Sequence, residues 1–218
     1  NIVSNIIVYD NKSDDGSLKI LNKHPKVTVV SYDTGGQIRD DAYLQIKNNA
    51  WKNSRKSADI VMVCDMDEFI YTKNLKEFIT EFNESDSTIL KPIGYDMMIN
   101  DFDITNSDDL INDVKNGNRH DHFDKLCMFK PNQIKEINYN FGCHVANPTG
   151  NIKYFNKEVK LLHYKKIGLS YYLNKMFQYK KRVSKFNKDR RLGYQYNFSK
   201  EKHTTDFNEE LITIKKVI

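Results

Sequence analysis

The sequence is poor in the features that would settle its class at a glance. Cysteine is scarce: Cys64, Cys127 and Cys143 are an odd number in 218 residues, without the paired spacing of a metal site. Free thiols in a reducing setting are therefore expected rather than a disulfide framework. No apolar run approaches the length of a membrane span, and no secretory leader is visible. That pattern points to a cytoplasmic protein; peripheral membrane attachment, or residence of a viral protein in a host cytoplasm, is compatible with it. Internal repeats and low-complexity linkers are absent, so one domain over residues 1–218 is expected, large enough for a real core. Charge of one sign is also in short supply. The formal net charge is +5, and lysines mingle with acidic residues for most of the length. A dedicated nucleic-acid binder is thereby disfavoured, while anionic ligands stay open.

What is present is organised around residues 60–71. Ile60-Val-Met-Val-Cys64 is an unbroken apolar run rich in β-branched residues. It reads as a strand buried on both faces of a parallel sheet. Two carboxylates follow, Asp65 and Asp67, with Glu68 next. On an extended backbone residues i and i+2 point the same way, so the pair is expected to project from a strand end, where open α/β sheets bind ligands. Like charges that close call for a cation between them. Carboxylates suit Mg²⁺ or Mn²⁺, which bridge protein to substrate phosphates.

The rest of the chain reads as alternating strands and helices. Residues 5–9 and 26–31 are apolar strands around a short helix at 17–22, a right-handed βαβ unit. The connecting turn holds Ser13, Asp14 and Asp15, all good helix N-caps. Because a doubly wound domain begins with another strand, a first strand is expected before residue 1. Ala42, Tyr43, Ile46 and Ala50 give a helix over 38–56 its apolar face, and Leu75, Phe78, Ile79 and Phe82 do so for 74–82. Residues 88–93 form a strand whose Pro92 implies an edge or an end. The Asn/Asp-rich stretch 96–124 lacks periodicity and reads as a long functional loop. Short strands follow at 125–129, 141–146 and 159–164, then a helix over 170–185 with Tyr172, Leu173, Met176 and Tyr179 inward. The charged tail 188–218 is expected to lie at the surface or to dock on a partner.

Three motifs then converge on one family. Asp10-Asn-Lys-Ser-Asp-Asp-Gly-Ser17 resembles the Asp-x-x-Ser-x-Asp-Gly-Ser/Thr turn of family 2 glycosyltransferases. Asp65-Met-Asp-Glu-Phe69, with Trp51 upstream, is similar to the Asp-x-Asp-Glu-Phe signature of GT-A enzymes that decorate bacterial or viral surface glycans. Leu162-His-Tyr164, with Tyr172 and Lys175 beyond it, is similar to that branch's C-terminal His-Tyr element. The resemblance spans residues 5–185. It implies a Rossmann-like GT-A domain, a mixed, mostly parallel sheet flanked by helices. Mn²⁺ or Mg²⁺ would bind a nucleotide-diphosphate sugar, of the UDP- or GDP-sugar kind, for transfer to a glycan or glycoprotein acceptor with inversion. Asp10 would meet the base or ribose, with Asn11 and Ser13 in the same turn. Asp65 would face ribose and metal, Asp67 would bind the metal, and His163 would complete the metal or diphosphate site. Lys165, Lys166 and Lys175 are candidates to neutralise a diphosphate.

For the acceptor-side base, His144 is the candidate soon after the 125–129 strand, with Asp96 and Asp124 as carboxylate alternatives. Two rivals stand beside this reading. A nucleotidyltransferase also uses paired Asp and metal, but would show a Gly-rich phosphate loop near its start, and none is seen. A nucleotide- or carbohydrate-binding module without turnover is the other.

Overall fold

The computed structural model describes residues 2–101 and 109–218. The chain opens with β1 (Ile6–Asp10), α1 (Ser17–Leu21) and β2 (Val27–Ser31), and the two strands pair in parallel from Ile6 against Val27 to Asp10 against Ser31. The expected βαβ unit is there. Next, α2 (Asp40–Asn49) runs straight into a 3-10 helix, Ala50–Ser54, which buries Trp51 edge-on against Phe129 at 5.0 Å.

The run at 60–64 departs from expectation. Only Val61–Met62 forms a strand, β3, and it lies in a three-stranded antiparallel sheet with β5 (Ile89–Leu90) and β8 (Met128–Phe129). Met62 and Cys64 are exposed, so the run is buried on one side only. All three cysteines are free. After β4 (Glu68–Tyr71) comes α3 (Leu75–Glu84), which begins where the Asn74 side chain accepts from the Glu77 N–H and buries Phe78 and Phe82.

Pro92 separates β5 from β6 (Ile93–Ile99), so the 88–93 strand is in fact two strands in different sheets. β6 continues into the stretch expected to be loop, and the described part of 96–124 also holds α4 (Leu110–Asp113) and β7 (Asn116–Arg119). Backbone pairing overrides the polar composition here: Asp96 stands opposite Asn118 and Met97 opposite Gly117. Residues 102–108 of that predicted loop lie outside the described residues. β9 (Ile134–Glu136) and β10 (Thr149–Gly150) form a small antiparallel pair. The strand expected at 141–146 is instead a 3-10 turn, Phe141–Cys143, with Gly142 at φ 78°. A left-handed residue in that place breaks an extended run.

β11 (Lys160–Ile167) is the spine of the five-stranded sheet, whose order is β12 (Lys215–Lys216), β7, β6, β11, β4. It runs parallel to β6 and antiparallel to β4. The fold is thus mixed α/β as expected, but antiparallel pairings outnumber parallel ones among the described strands. α5 (Leu169–Arg182) packs back with Tyr172, Leu173 and Met176 buried, and α6 (Lys185–Asp189) follows.

The tail is no surface appendage. α7 (Lys200–Ile212) buries His203 and Phe207, Phe207 packing with Met98, Tyr172 and Met176, and β12 (Lys215–Lys216) closes the sheet edge against β7. Its charged composition hid this because the buried face of α7 is only those two residues wide, at i and i+4. Accordingly, Phe207→Ala should lower unfolding free energy by about 3–5 kcal/mol in urea titration, the cost of a large core truncation. Tyr194→Ala, at an exposed position, should change it by less than about 0.5 kcal/mol. Equal, small effects would mean that the tail does not belong to the core.

Candidate functional site

The site is built on one rung of the sheet. In register, Glu68 of β4 stands beside His163 of β11, which stands beside Asp96 of β6. All three are buried. Ahead of Glu68, residues 65–68 form a turn rather than an extended strand end. The Glu68 N–H donates to the Asp65 carbonyl at 3.2 Å, and the Asp65 N–H donates to Glu68 Oε2 at 3.0 Å. This reciprocal bonding sends the two aspartates to different partners and corrects the expectation of a co-projecting pair.

Asp65 is claimed by two lysines. Lys47 of α2 donates to Oδ1 at 2.5 Å, and Lys125 reaches Oδ2 at 3.3 Å while pairing closely with Glu68 Oε1. Burial pushes the Asp65 carboxyl up, but the two ammonium groups outweigh it and hold the group well below the usual carboxylate range. Asp67 meets Lys175 of α5 at 2.8 Å, and its Oδ2 lies 3.8 Å from His163 Nε2. It too is held below its usual value: His163 and Lys175 overcome the effect of burial. Asp96 accepts from His163 Nδ1 at 3.0 Å and pairs with Lys166 at 2.9 Å; these partners, against burial, keep it ionised. Lys166 is also paired with Glu210 of α7.

The other sequence candidates fall into two places. Asp10 is buried at the end of β1, where its carboxylate accepts from the Ser13 N–H and closes the turn. Asn11 is tied to Thr34, donating to Oγ1 at 2.7 Å and accepting from the N–H at 3.1 Å. No hydrogen bond among the described residues joins Asp10, Asn11 or Ser13 to the Asp67–His163 group. Asp124 is anchored elsewhere, accepting from the Gly94 N–H at 2.8 Å and pairing with Arg119 at 2.6 Å. His144, in the turn after the 3-10 segment, directs Nδ1 at the His122 carbonyl, 2.8 Å away. Burial and the neighbouring Lys125 lower its pKa to about 4.

Phe123 joins His144 to the rung, its ring centroid 4.1 Å from that of His163 and 5.9 Å from that of His144. Gly94 makes this possible: a Cβ there would lie 2.4 Å from Phe123, so only glycine lets the 121–123 turn rest on β6. Lys47, Lys125 and Phe123 were missed from sequence. Lys125 alone carried a signal, as a lone cation leading an apolar run, Leu126-Cys-Met-Phe129. Lys165, by contrast, is half-buried, its ammonium 5.7 Å and 5.5 Å from the ring centroids of Tyr179 and Tyr196, and it forms no ion pair with a described residue. Burial lowers its pKa to about 8.

The donor set fits a hard divalent ion only in part, and in an instructive way. No group of three or more His, Cys, Asp or Glu among the described residues is placed to cage a metal. Mg²⁺ and Mn²⁺ need no such cage, being held by one or two carboxylates together with substrate phosphates. Asp67 and His163 place a carboxylate oxygen and an imidazole nitrogen 3.8 Å apart, two donors of the type such an ion takes. The Asp96 contact at Nδ1 leaves Nε2 facing Asp67, the orientation that a carboxylate gives a ligating histidine.

Among known families the chain sides with the glycosyltransferases. Residues 3–209 match the profile of glycosyltransferase family 92, nearly the whole length, and the chain belongs to that family. The match upholds the glycosyltransferase reading of the motifs, while the family it names is 92 and not the family 2 branch they resemble. No curated protein matches the chain at a significant level.

Two consequences for stability follow from the ion pairs. Lys125→Met should cost about 3–5 kcal/mol at pH 7, because it strands the fully buried Glu68 carboxylate. Asp65, Asp67 and Asp96 have depressed folded pKa values, so they bind more protons unfolded than folded below about pH 4. Their contribution is therefore full above that pH and declines as pH falls through the folded values. Urea midpoints at pH 7, 4 and 3 should fall steeply at the acid end in the parent, and unchanged midpoints would refute the pairing.

Proposed function

We propose that the Asp67–His163 group binds the diphosphate of a nucleotide-diphosphate sugar together with Mn²⁺ or Mg²⁺. The sugar passes with inversion to a hydroxyl of a glycan or glycoprotein acceptor. One observation carries the reading: Asp96, buried and ionised, holds His163 by Nδ1 so that Nε2 faces the Asp67 carboxylate. A divalent ion held there would neutralise charge on the departing nucleoside diphosphate.

The chain's own residues do the rest. Lys175, already beside Asp67, and Lys165, without a carboxylate partner, provide two cations for the phosphate oxygens. Asp65 is the anchor that keeps Lys47 and Lys125 in place. For the acceptor side, Asp96 and Asp124 have their oxygens engaged by His163 and Lys166, and by Gly94 and Arg119. His144 keeps a ring nitrogen open: Nδ1–H donates to the His122 carbonyl, leaving the Nε2 lone pair. His144 Nε2 takes the acceptor's hydroxyl proton as that oxygen bonds to the anomeric carbon. The bond from this carbon to the diphosphate oxygen breaks, and its electron pair leaves with the nucleotide.

Release of UDP or GDP from a panel of nucleotide sugars, with and without Mn²⁺, tests the donor assignment. Asp67→Asn should reduce metal-dependent release by about 10² or more while the variant without ligand still unfolds in one cooperative transition, shifted only by loss of the Lys175 pair. Nucleotide binding with no release in any combination would favour a module without turnover. The pH profile tests the base. With its pKa near 4, His144 is neutral across pH 5–8 and should be lost as a base only below that window. The acid limb of kcat/KM should lie near pH 4, and disappear from the residual rate of His144→Ala. A limb near 6.5, the ordinary imidazole value, would exclude His144 in this environment.

A further inference from the structure

The net positive charge of this protein is concentrated in one segment. Residues 180–191 hold Lys180, Lys181, Arg182, Lys185, Lys188, Arg190 and Arg191 against a single acid, Asp189. That is a surplus of +6 in a chain whose formal net charge is +5, so the remaining residues sum to −1. All seven cations are exposed, and none forms an ion pair with a described residue. The segment is also rigidly carried. Val183 and Ser184 are buried, Ile38 and Val183 form a parallel bridge, and Ser184 caps α6 by accepting from the Asn187 N–H. Asn187 is itself fully buried and bonded to Asp40. The cations thus stand on a fixed corner where α5 ends and α6 begins.

We propose that this corner docks the protein on a membrane surface rich in anionic phospholipid. Each Lys or Arg near such a surface gains favourable energy, and clusters of four to eight on a helical segment suffice for attachment. Apolar groups at the margins fit the same partner. Phe177 is 40% exposed, four residues before Lys181 and hence on its side of α5, and Tyr194 is 64% exposed. A phenyl ring there can enter the acyl boundary, and a tyrosine ring, with its hydroxyl, settles at the headgroup level. A single-stranded nucleic acid suits the corner less well, since it needs open aromatic faces for its bases. The central ring, Phe186, is half-buried and already carries the guanidinium groups of Arg190 at 3.9 Å and Arg39 at 5.3 Å. The proposal does not depend on the identity of the donor sugar or on turnover.

The test is co-sedimentation of the full chain with vesicles of phosphatidylcholine alone or with 30 mol% phosphatidylserine, at about 50 and about 500 mM salt. Binding is expected only to the anionic vesicles and only at low salt. The quadruple variant K180Q/K181Q/K188Q/R191Q spares Arg190 on Phe186 and Arg182, which donates to the Gly36 carbonyl. It should bind on the order of 10²-fold more weakly, with an unchanged melting temperature. Phe177→Ser should weaken vesicle binding severalfold at constant charge. Equal binding to both vesicle types, parent-like binding by the quadruple variant, or binding to single-stranded RNA but not to vesicles would each overturn the proposal.

Discussion

Four acids, Asp65, Asp67, Glu68 and Asp96, are gathered within a few residues of one rung of the sheet, and each meets at least one lysine. Taking a carboxylate out of water costs several kcal/mol unless a counter-charge and hydrogen bonds replace the lost hydration. The chain meets that demand from separate elements. Lys47 comes from α2, Lys125 from the segment before β8, Lys166 from β11 and Lys175 from α5. Pairs of this kind add little net stability over a packed apolar core, yet breaking one is expensive. Their effect is to fix where α2 and α5 sit relative to the sheet. The same pairs that position the helices therefore fix the outline of the site.

β11 transmits this constraint. Its pairing with β4 on one side and β6 on the other places His163 between Glu68 and Asp96, and the Tyr164 N–H donates to the Asp67 carbonyl at 2.8 Å. The register of one strand thus sets both the histidine and the turn that bears Asp67. Leu162 and the Tyr164 ring, which share a core cluster apart from that of Leu161, are fully buried just beside the charged row. A slip of one residue would exchange these apolar side chains for His163 and Lys165 on the core face. Core packing guards the register, and the register guards the site.

Much of this was readable in the chain. The apolar face Phe78–Phe82, the βαβ start and the inward face of α5 follow from local period and need little tertiary help. The Asp65-x-Asp67 pair pointed to the charged cluster at this rung, but not to its shape. Whether residues 65–68 extend or turn depends on Glu68, whose carboxylate is held by Lys125, nearly sixty residues away. Lys47 gave no sign because a lysine on an otherwise polar helix face is the ordinary solvated case. The run 60–64 looked like a doubly covered central strand; its partner β8 is only two residues long and leaves Met62 and Cys64 outside. Polar composition concealed β6 and β7, where backbone hydrogen bonds, which composition does not record, do the pairing.

α5 connects the two charged regions of the molecule, and the connection is short. Lys175, on Asp67, is five residues from Lys180, the first cation of the basic corner. Five residues of helix advance about 7–8 Å along the axis. The cations nearer the sheet, Lys166 and Lys175, are bound to carboxylates, whereas those from Lys180 onward are not. One helix thus passes from compensated to uncompensated charge within about two turns. Such a gradient needs no compensating anion while the corner faces water at moderate ionic strength, since exposed cations are hydrated and screened there. It does constrain geometry: a surface that engages the corner approaches from the C-terminal end of α5. Along that helix, Lys175, the partner of Asp67, lies about 7–8 Å from the first cation of the corner.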